Sequence, residues 1–295
     1  MNHVKNIGGQ AVIEGVMMKS PKGWSVAVRN PKGEINLKTV ETKEPPKIFK
    51  MCLVRGVIAL FQALYIGIKA IEYSGTVAFE GENEKAPGPL SMALSIGAAF
   101  LLAVGLFIVL PLYLTKLVGM VSQGVAQQSI LFNLVDGLLR VGIFLLYVFT
   151  IGMWREMRRI YEYHGAEHKV IYAYEAGEAL TVENARKYRP YHPRCGTSFL
   201  LIVMVISILI FSLIPQHWPF IWKAGARIVL MPVIAGISYE ILRYSAKMKD
   251  SSIMGLITLP GLLLQRLTVR EPDEAQIEVA LAAVEAVLAM EGQAE

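Results

Sequence analysis

Residues 91–115 read SMALSIGAAFLLAVGLFIVLPLYLT, a run without a single charged side chain. A helix of this length crosses a bilayer with some tilt. The stretch therefore decides the fold class: a membrane protein, mainly α-helical. The rest of the chain agrees. Of its 295 residues 54% are hydrophobic and only 18% are charged, with a mean hydropathy of +0.45, whereas a soluble domain carries about 25% charged residues. Three further spans are predicted. Gly137 to Trp154 has Asp136 and Arg140 at its start. Ser198 to Ile214 is closed by Pro215. Ile228 to Leu242 is interrupted by Pro232, which neighbouring helices accommodate.

Loop charges orient these four transmembrane helices. The loop 117–135 has no Lys or Arg, residues 155–197 have eight, the region before the first span has twelve and the tail after the fourth has five. The loop 215–227 has two, Lys223 and Arg227, beside Trp218 and Trp222, which suit an interface belt. Basic loops stay in the cytosol. Four spans with both termini and residues 155–197 inside satisfy that rule, and counting 47–72 or 253–264 as spans breaks it. The net charge of +5 then orients the chain in the lipid membrane and needs no nucleic acid as partner, and no stretch interleaves aromatics and arginines in a way suited to bases. The start, MNHVKNIGGQ, lacks the basic-then-apolar pattern of a secretory signal, so the spans direct insertion.

Residues 6–42 read as β. Val12, Ile13, Val16 and Met17 form one apolar run, Trp24, Val26 and Val28 alternate with polar residues, and Ile35, Leu37 and Val40 make a third strand. Ser20-Pro21-Lys22-Gly23 and Asn30-Pro31-Lys32-Gly33 suit type I turns. The pattern predicts a small antiparallel β-meander, ended by Pro45-Pro46. Residues 47–72 are helical, but the uncharged part, Gly56 to Ile68, is too short to span. Arg55, Gln62 and Lys69 make one narrow polar stripe, so the helix is predicted to be interfacial or core-packed. Ile253 to Leu264, broken by Pro260-Gly261, reads as re-entrant or interfacial. Residues 272–291 read as an amphipathic helix whose stripe, Ile277, Leu281, Val284 and Leu288, must be covered by the meander, by residues 47–72, by a partner helix or by the membrane. The expected organisation is a cytosolic meander at 1–45, an amphipathic helix and linker at 46–90, two spans at 91–154, a cytosolic metal-site loop at 155–197, two spans at 198–250, and an interfacial segment with an amphipathic helix at 251–295.

That loop carries the chemistry. It contains His164-Gly165-Ala166-Glu167-His168 and His192-Pro193-Arg194-Cys195. On a helix His164 and His168 share one face, a turn apart, and can reach one ion. His192 and Cys195 have the two-residue spacing of structural zinc chelates. Imidazole with thiolate favours zinc, or iron, over magnesium and calcium. Two cysteines, Cys52 and Cys195, are too few for a disulfide framework. The first segment also fits the His-x-x-Glu-His pattern in which two His bind zinc and Glu, here Glu167, is the base. Four protein ligands would close a tetrahedral site into a structural staple between two spans. If His192 or Cys195 is not a ligand, an open position allows catalysis. Simple polar surface is the bland alternative for His164 and His168, and a turn packed against the membrane surface is that for His192 and Cys195. Elsewhere, Glu14 reads as an edge-strand surface residue or an added carboxylate at the site. Glu240 and Arg243 are candidates to pair, Asp136 and Arg140 read as an interfacial pair, His217 as an interface residue and His3 as a terminal one.

Gly8–Met18 (GGQAVIEGVMM), Tyr163–Lys169 (YHGAEHK), His192–Ser198 (HPRCGTS) and Leu267–Asp273 (LTVREPD) together resemble the hallmark segments of the YqhQ-type family of bacterial membrane proteins. The resemblance covers nearly the whole chain, with no departure at the His, Cys or Glu positions. It implies a multi-pass protein of the bacterial inner membrane and a metal-dependent enzyme, and it supplies no substrate. Two functions follow. One is a hydrolase at the cytosolic membrane face, with a lipid head group or a juxtamembrane peptide as substrate. The other is a scaffold for membrane-protein biogenesis, with a structural metal and another membrane protein as partner.

Overall fold

Glu14 splits the first apolar run in two. Its φ of 49° lies in the left-handed region, and it turns β1 (Gly8–Val12) back on β2 (Gly15–Lys19), with Val12 opposite Gly15. The predicted three strands are therefore four. β3 (Gly23–Arg29) and β4 (Ile35–Glu41) complete an antiparallel meander of order β1-β2-β3-β4. Of the two Pro-Gly connections, Asn30–Gly33 makes the expected turn bond, Gly33 N–H donating to Asn30 O at 2.9 Å, whereas at the first Ser20 N–H donates to Gly23 O at 2.8 Å, the reverse direction. The computed structural model describes residues 7–42, 51–81, 89–193, 195–215, 217–245 and 252–292. His3, the Pro45-Pro46 pair and most of the 80–90 linker lie outside the described residues.

Both faces of the sheet are covered. Alternation sends Val12, Val26 and Val28 to one side and Val16, Met18 and Ala27 to the other. The first side packs on α1 (Val54–Ala78) through Ile66, Ala70 and Val77. The second packs on α6 (Arg155–Glu175), the short α7 (Val182–Arg186) and α11 (Glu274–Gly292). The α11 stripe is thus covered within the chain, with Ile277 1% and Val284 0% exposed. A partner helix or the membrane is not what it meets. Glu240 makes a two-pronged pair with Arg55 of α1, not with Arg243, Arg55 Nε donating to Oε1 at 2.6 Å and Nη2 to Oε2.

The remaining helices are apolar. α2 (Pro89–Val104), a π turn (Gly105–Val109) and α3 (Leu110–Val121) run as one rod, linked by the short α4 (Gln123–Gln127) to α5 (Ser129–Ile151). After α6 and α7 come α8 (Gly196–Phe211), α9 (Phe220–Ser245) and α10 (Ser252–Thr268). Among the described residues four helices are long and apolar enough to cross a membrane: α1, the α2–α3 rod, α5 and α9. The number matches the expectation; the membership does not. α8, counted as a span from sequence, has only 16 residues, about 24 Å of rise. α1, read as too short, is one 25-residue helix that runs on through Lys69 and Glu72 to Ala78. It nevertheless packs on the sheet as a core-packed helix does, and leaves Phe61, Leu64, Tyr65 and Ile71 uncovered. α10 continues through Pro260 and packs against α8.

Candidate metal centre

α6 sets the centre. Its turn places His164 and His168 on one face, with ring centroids 4.4 Å apart. Each ring is held by a backbone carbonyl: His164 Nδ1 meets Thr268 O at 3.1 Å, and His168 Nδ1 meets Pro190 O at 2.5 Å. A carbonyl oxygen only accepts, so both Nδ1 atoms carry a hydrogen, and Nε2 is the ring nitrogen that each histidine turns towards the site. His164 Nε2 lies 3.1 Å from Cys195 Sγ. His168 Nε2 is buried and makes no hydrogen bond, with Cys195 close enough to interact. Burial lowers the His168 pKa and keeps the ring neutral. Cys195 is the N-cap of α8 and accepts from Thr197 Oγ1 at 3.4 Å.

One donor atom each from His164, His168 and Cys195 lies within 4.8 Å of the others. Neutral imidazoles oriented through Nδ1 by carbonyls, with Nε2 aimed at a common point, are how proteins present histidine to a metal. Two imidazole nitrogens and a thiol fit zinc or iron. The orphaned His168 Nε2 is the atom that such an ion would satisfy.

His192 is beside this group but not in it. Its backbone is clamped by Gln265, which accepts from His192 N–H and donates to His192 O, both at 2.8 Å. Its Nε2 is 3.4 Å from Glu175, and its ring meets Tyr172 edge-on. Glu167 also stands apart from the donors. Its carboxyl lies against β1, where Gly9 leaves the room it occupies and donates its N–H. Burial pushes its pKa up to about 7, and Oε2 has no partner. Glu14 is held by a two-pronged pair with Arg159, with Tyr163 Oη 3.3 Å away, and is not a ligand.

Several supports have no signature in the sequence. Lys169, 2% exposed, ties α6 to two segments: Nζ reaches Tyr188 O at 2.7 Å and Arg186 O at 3.2 Å on one, and Glu271 at 2.6 Å on the other. Arg270 donates its N–H to Tyr161 O at 2.9 Å. That approach requires Gly165, since a Cβ there would overlap the Arg270 carbonyl. The Pro190 and Thr268 carbonyls are backbone atoms, which residue identity does not mark. The shared signal was the segment Leu267–Asp273 itself, whose place beside YHGAEHK these contacts explain.

No solved structure matches the chain. The "Uncharacterized protein YqhQ" of Bacillus subtilis (strain 168) is 33% identical over 305 residues, covering 98% of this chain and 94% of the relative. A family model described as "Protein of unknown function (DUF1385)" matches residues 51–290. With four membrane-capable helices and its hallmark segments gathered around α6, the chain belongs to the DUF1385 family.

Proposed function

We propose that this chain is a metalloprotein of the bacterial inner membrane, holding zinc or iron through His164 Nε2, His168 Nε2 and Cys195 Sγ, and acting as a hydrolase on a lipid head group or a juxtamembrane peptide. The observation that carries the reading is the matched pair of Nδ1–carbonyl bonds, which leaves both Nε2 atoms facing the Cys195 sulfur. Among the described residues three donors converge, not four, and a three-ligand site keeps a position for substrate. When bound, such an ion supplies Lewis acidity towards a carbonyl or phosphoryl oxygen. Glu167, next to His168 in the chain although its carboxyl is turned towards Gly9, is the base this reading assigns. The competing scaffold reading draws on one observation: Glu167 lies against Gly9 rather than with the donors.

Metal analysis of purified variants separates the two. The hydrolase reading expects stoichiometric zinc or iron in the wild type and in His192→Ala, loss of metal in His168→Ala, and a Glu167→Gln protein that folds, keeps its metal and fails to complement a deletion strain. A folded wild type without metal, indifferent to His168→Ala, overturns the centre. Metal loss in His192→Ala together with full complementation by Glu167→Gln assigns it to a structural staple.

The reading takes the α2–α3 rod, α5, α8 and α9 as the crossing helices, with α1 held on the sheet, and so puts the sheet, α6 and the proposed centre in the cytosol with both termini. Residues 155–197 carry eight Lys and Arg, whereas the connections 122–128 and 212–219 at the other end of the helices carry none. In a Cys52→Ser background, Ala176→Cys is expected to resist a membrane-impermeant thiol reagent in intact cells and to react after lysis. Labelling in intact cells would reverse the orientation.

A further inference from the structure

The end of the helical bundle remote from the histidines contains too much positive charge. Between residues 89 and 154 the bases are Lys116 and Arg140, and between 198 and 239 they are Lys223 and Arg227; Asp136 is the only acid in either stretch. Four cations against one anion leave an excess of +3. Asp136 is already saturated by arginine. Its Oδ1 accepts from Arg227 Nη1 and its Oδ2 from Arg140 Nη2, both at 2.6 Å. The outer guanidinium nitrogens reach Asn133 and Ser207, each at 3.0 Å. Both guanidinium groups lie over the Phe211 ring, at 4.8 and 5.2 Å. Their two Nε atoms are buried without a hydrogen-bond partner. Arg227 is 0% exposed and Asp136 1%, so neither is the loop or interface charge that the sequence suggested.

Next to this network is a cavity of about 390 Å³, lined by Leu112, Lys116, Phe132, Trp218, Phe220 and Lys223. The Lys223 ammonium lies 4.5 Å from the Phe132 ring centre, and its charge interacts with those of Lys116, Arg227 and Asp136. Cations gathered in a low-dielectric bundle cost free energy unless an anion joins them. Two ammonium groups are point-charge partners for phosphate. The apolar and tryptophan lining suits the glycerol and first methylenes of an amphiphile at an interface.

We propose that this cavity binds a phosphate-bearing anion, held between Lys116 and Lys223, with an anionic phospholipid head group as the source its lining favours. The site is separate from the histidine–cysteine centre. Asp136 lies 15 residues before the α5 end that leads into α6, roughly 22 Å along the axis, so the proposal stands whether or not a metal occupies the centre.

The test uses the full-length protein in neutral detergent. Native mass spectrometry and thermal melting are read with phosphatidylglycerol, with phosphatidylcholine of the same chains, and with inorganic phosphate. Phosphatidylglycerol is expected to remain bound and to raise the melting temperature, and phosphatidylcholine is not. Lys116→Gln/Lys223→Gln should bind phosphatidylglycerol on the order of ten-fold or more weaker, while Lys116→Arg/Lys223→Arg retains it. If the double Gln variant fails to accumulate, Lys116→Gln alone carries the comparison, since Lys116 is exposed at the cavity rim. Millimolar phosphate that stabilises the wild type but not the Gln variant keeps the site and names a soluble ligand. Equal retention of the two lipids without a phosphate effect, or undiminished binding by the Gln variant, overturns the proposal.

Discussion

Gly165 shows how a single missing methyl group positions the centre. It sits between the two histidines on α6, and a Cβ there would meet the Arg270 carbonyl oxygen, a backbone atom that cannot swing aside. Gly165→Ala therefore pushes residues 268–270 away from α6. It is expected to lower stability by ~1–3 kcal/mol and to loosen the Thr268 carbonyl from His164 Nδ1. Gly142→Ala is the control, because nothing lies within 4 Å of its added methyl. Thermal melting in detergent reads the difference, and equal melting temperatures for the two variants would remove Gly165 from this role. At this scale the donors His164, His168 and Cys195 were legible from residue type and spacing. The position of His192 was not, because spacing does not say which way a ring turns. Glu175 and Gln265, which fix that ring and its backbone, are distant in sequence and ordinary in type.

At the scale of elements, the sheet is a shared wall between α1 and the α6–α11 pair. α11 brings Ile277, Val284 and Val287 to one face of that wall, all at most 1% exposed. Ile277→Ala should cost ~2–5 kcal/mol by the cavity it opens, while Glu285→Ala, on the solvent face, should stay within about 0.5 kcal/mol. Denaturation followed by tryptophan fluorescence measures both, and a tolerated Ile277→Ala would mean that α11 is not part of the core. The stripe on α11 was plain from its periodicity, and the meander from its Pro-Gly turns. The extra strand was hidden because Ile13-Glu14 has none of the usual turn residues. The length of α1 was hidden because two charged residues were weighed against spanning, although they lie on a face that meets Glu240 at one end and Glu72 at the other.

At the scale of the whole molecule, the chain has two polar centres at opposite ends of its helices, and they differ in kind. One gathers two imidazoles and a sulfur. The other stacks guanidinium groups around one carboxylate. Removing the carboxylate leaves two buried cations facing each other, and Asp136→Asn is expected to cost ~3–5 kcal/mol, seen as sharply reduced accumulation in membranes. Arg227→Met leaves a neutral Asp136–Arg140 pair and should be the milder change, measured in the same expression series. The reverse order would show that Arg227, not Asp136, neutralises the network. Sequence inspection found Asp136 and Arg140 through their i, i+4 spacing, but Arg227 joins them from α9, which only the packing of α5 on α8 and α9 brings near. The sheet that covers α6 and α11 also has a history. Its strands end at Glu41, and the helix that shields one of its faces is complete only at Gly292. The ribosome adds roughly 5–20 residues each second, so Val16, Met18 and Ala27 wait on the order of 13–50 s for their cover. Thr268 too leaves the ribosome long after His164, so the histidine pocket is finished only when nearly the whole chain has been made, and on the proposed metal reading ion loading is an event of maturation rather than of synthesis.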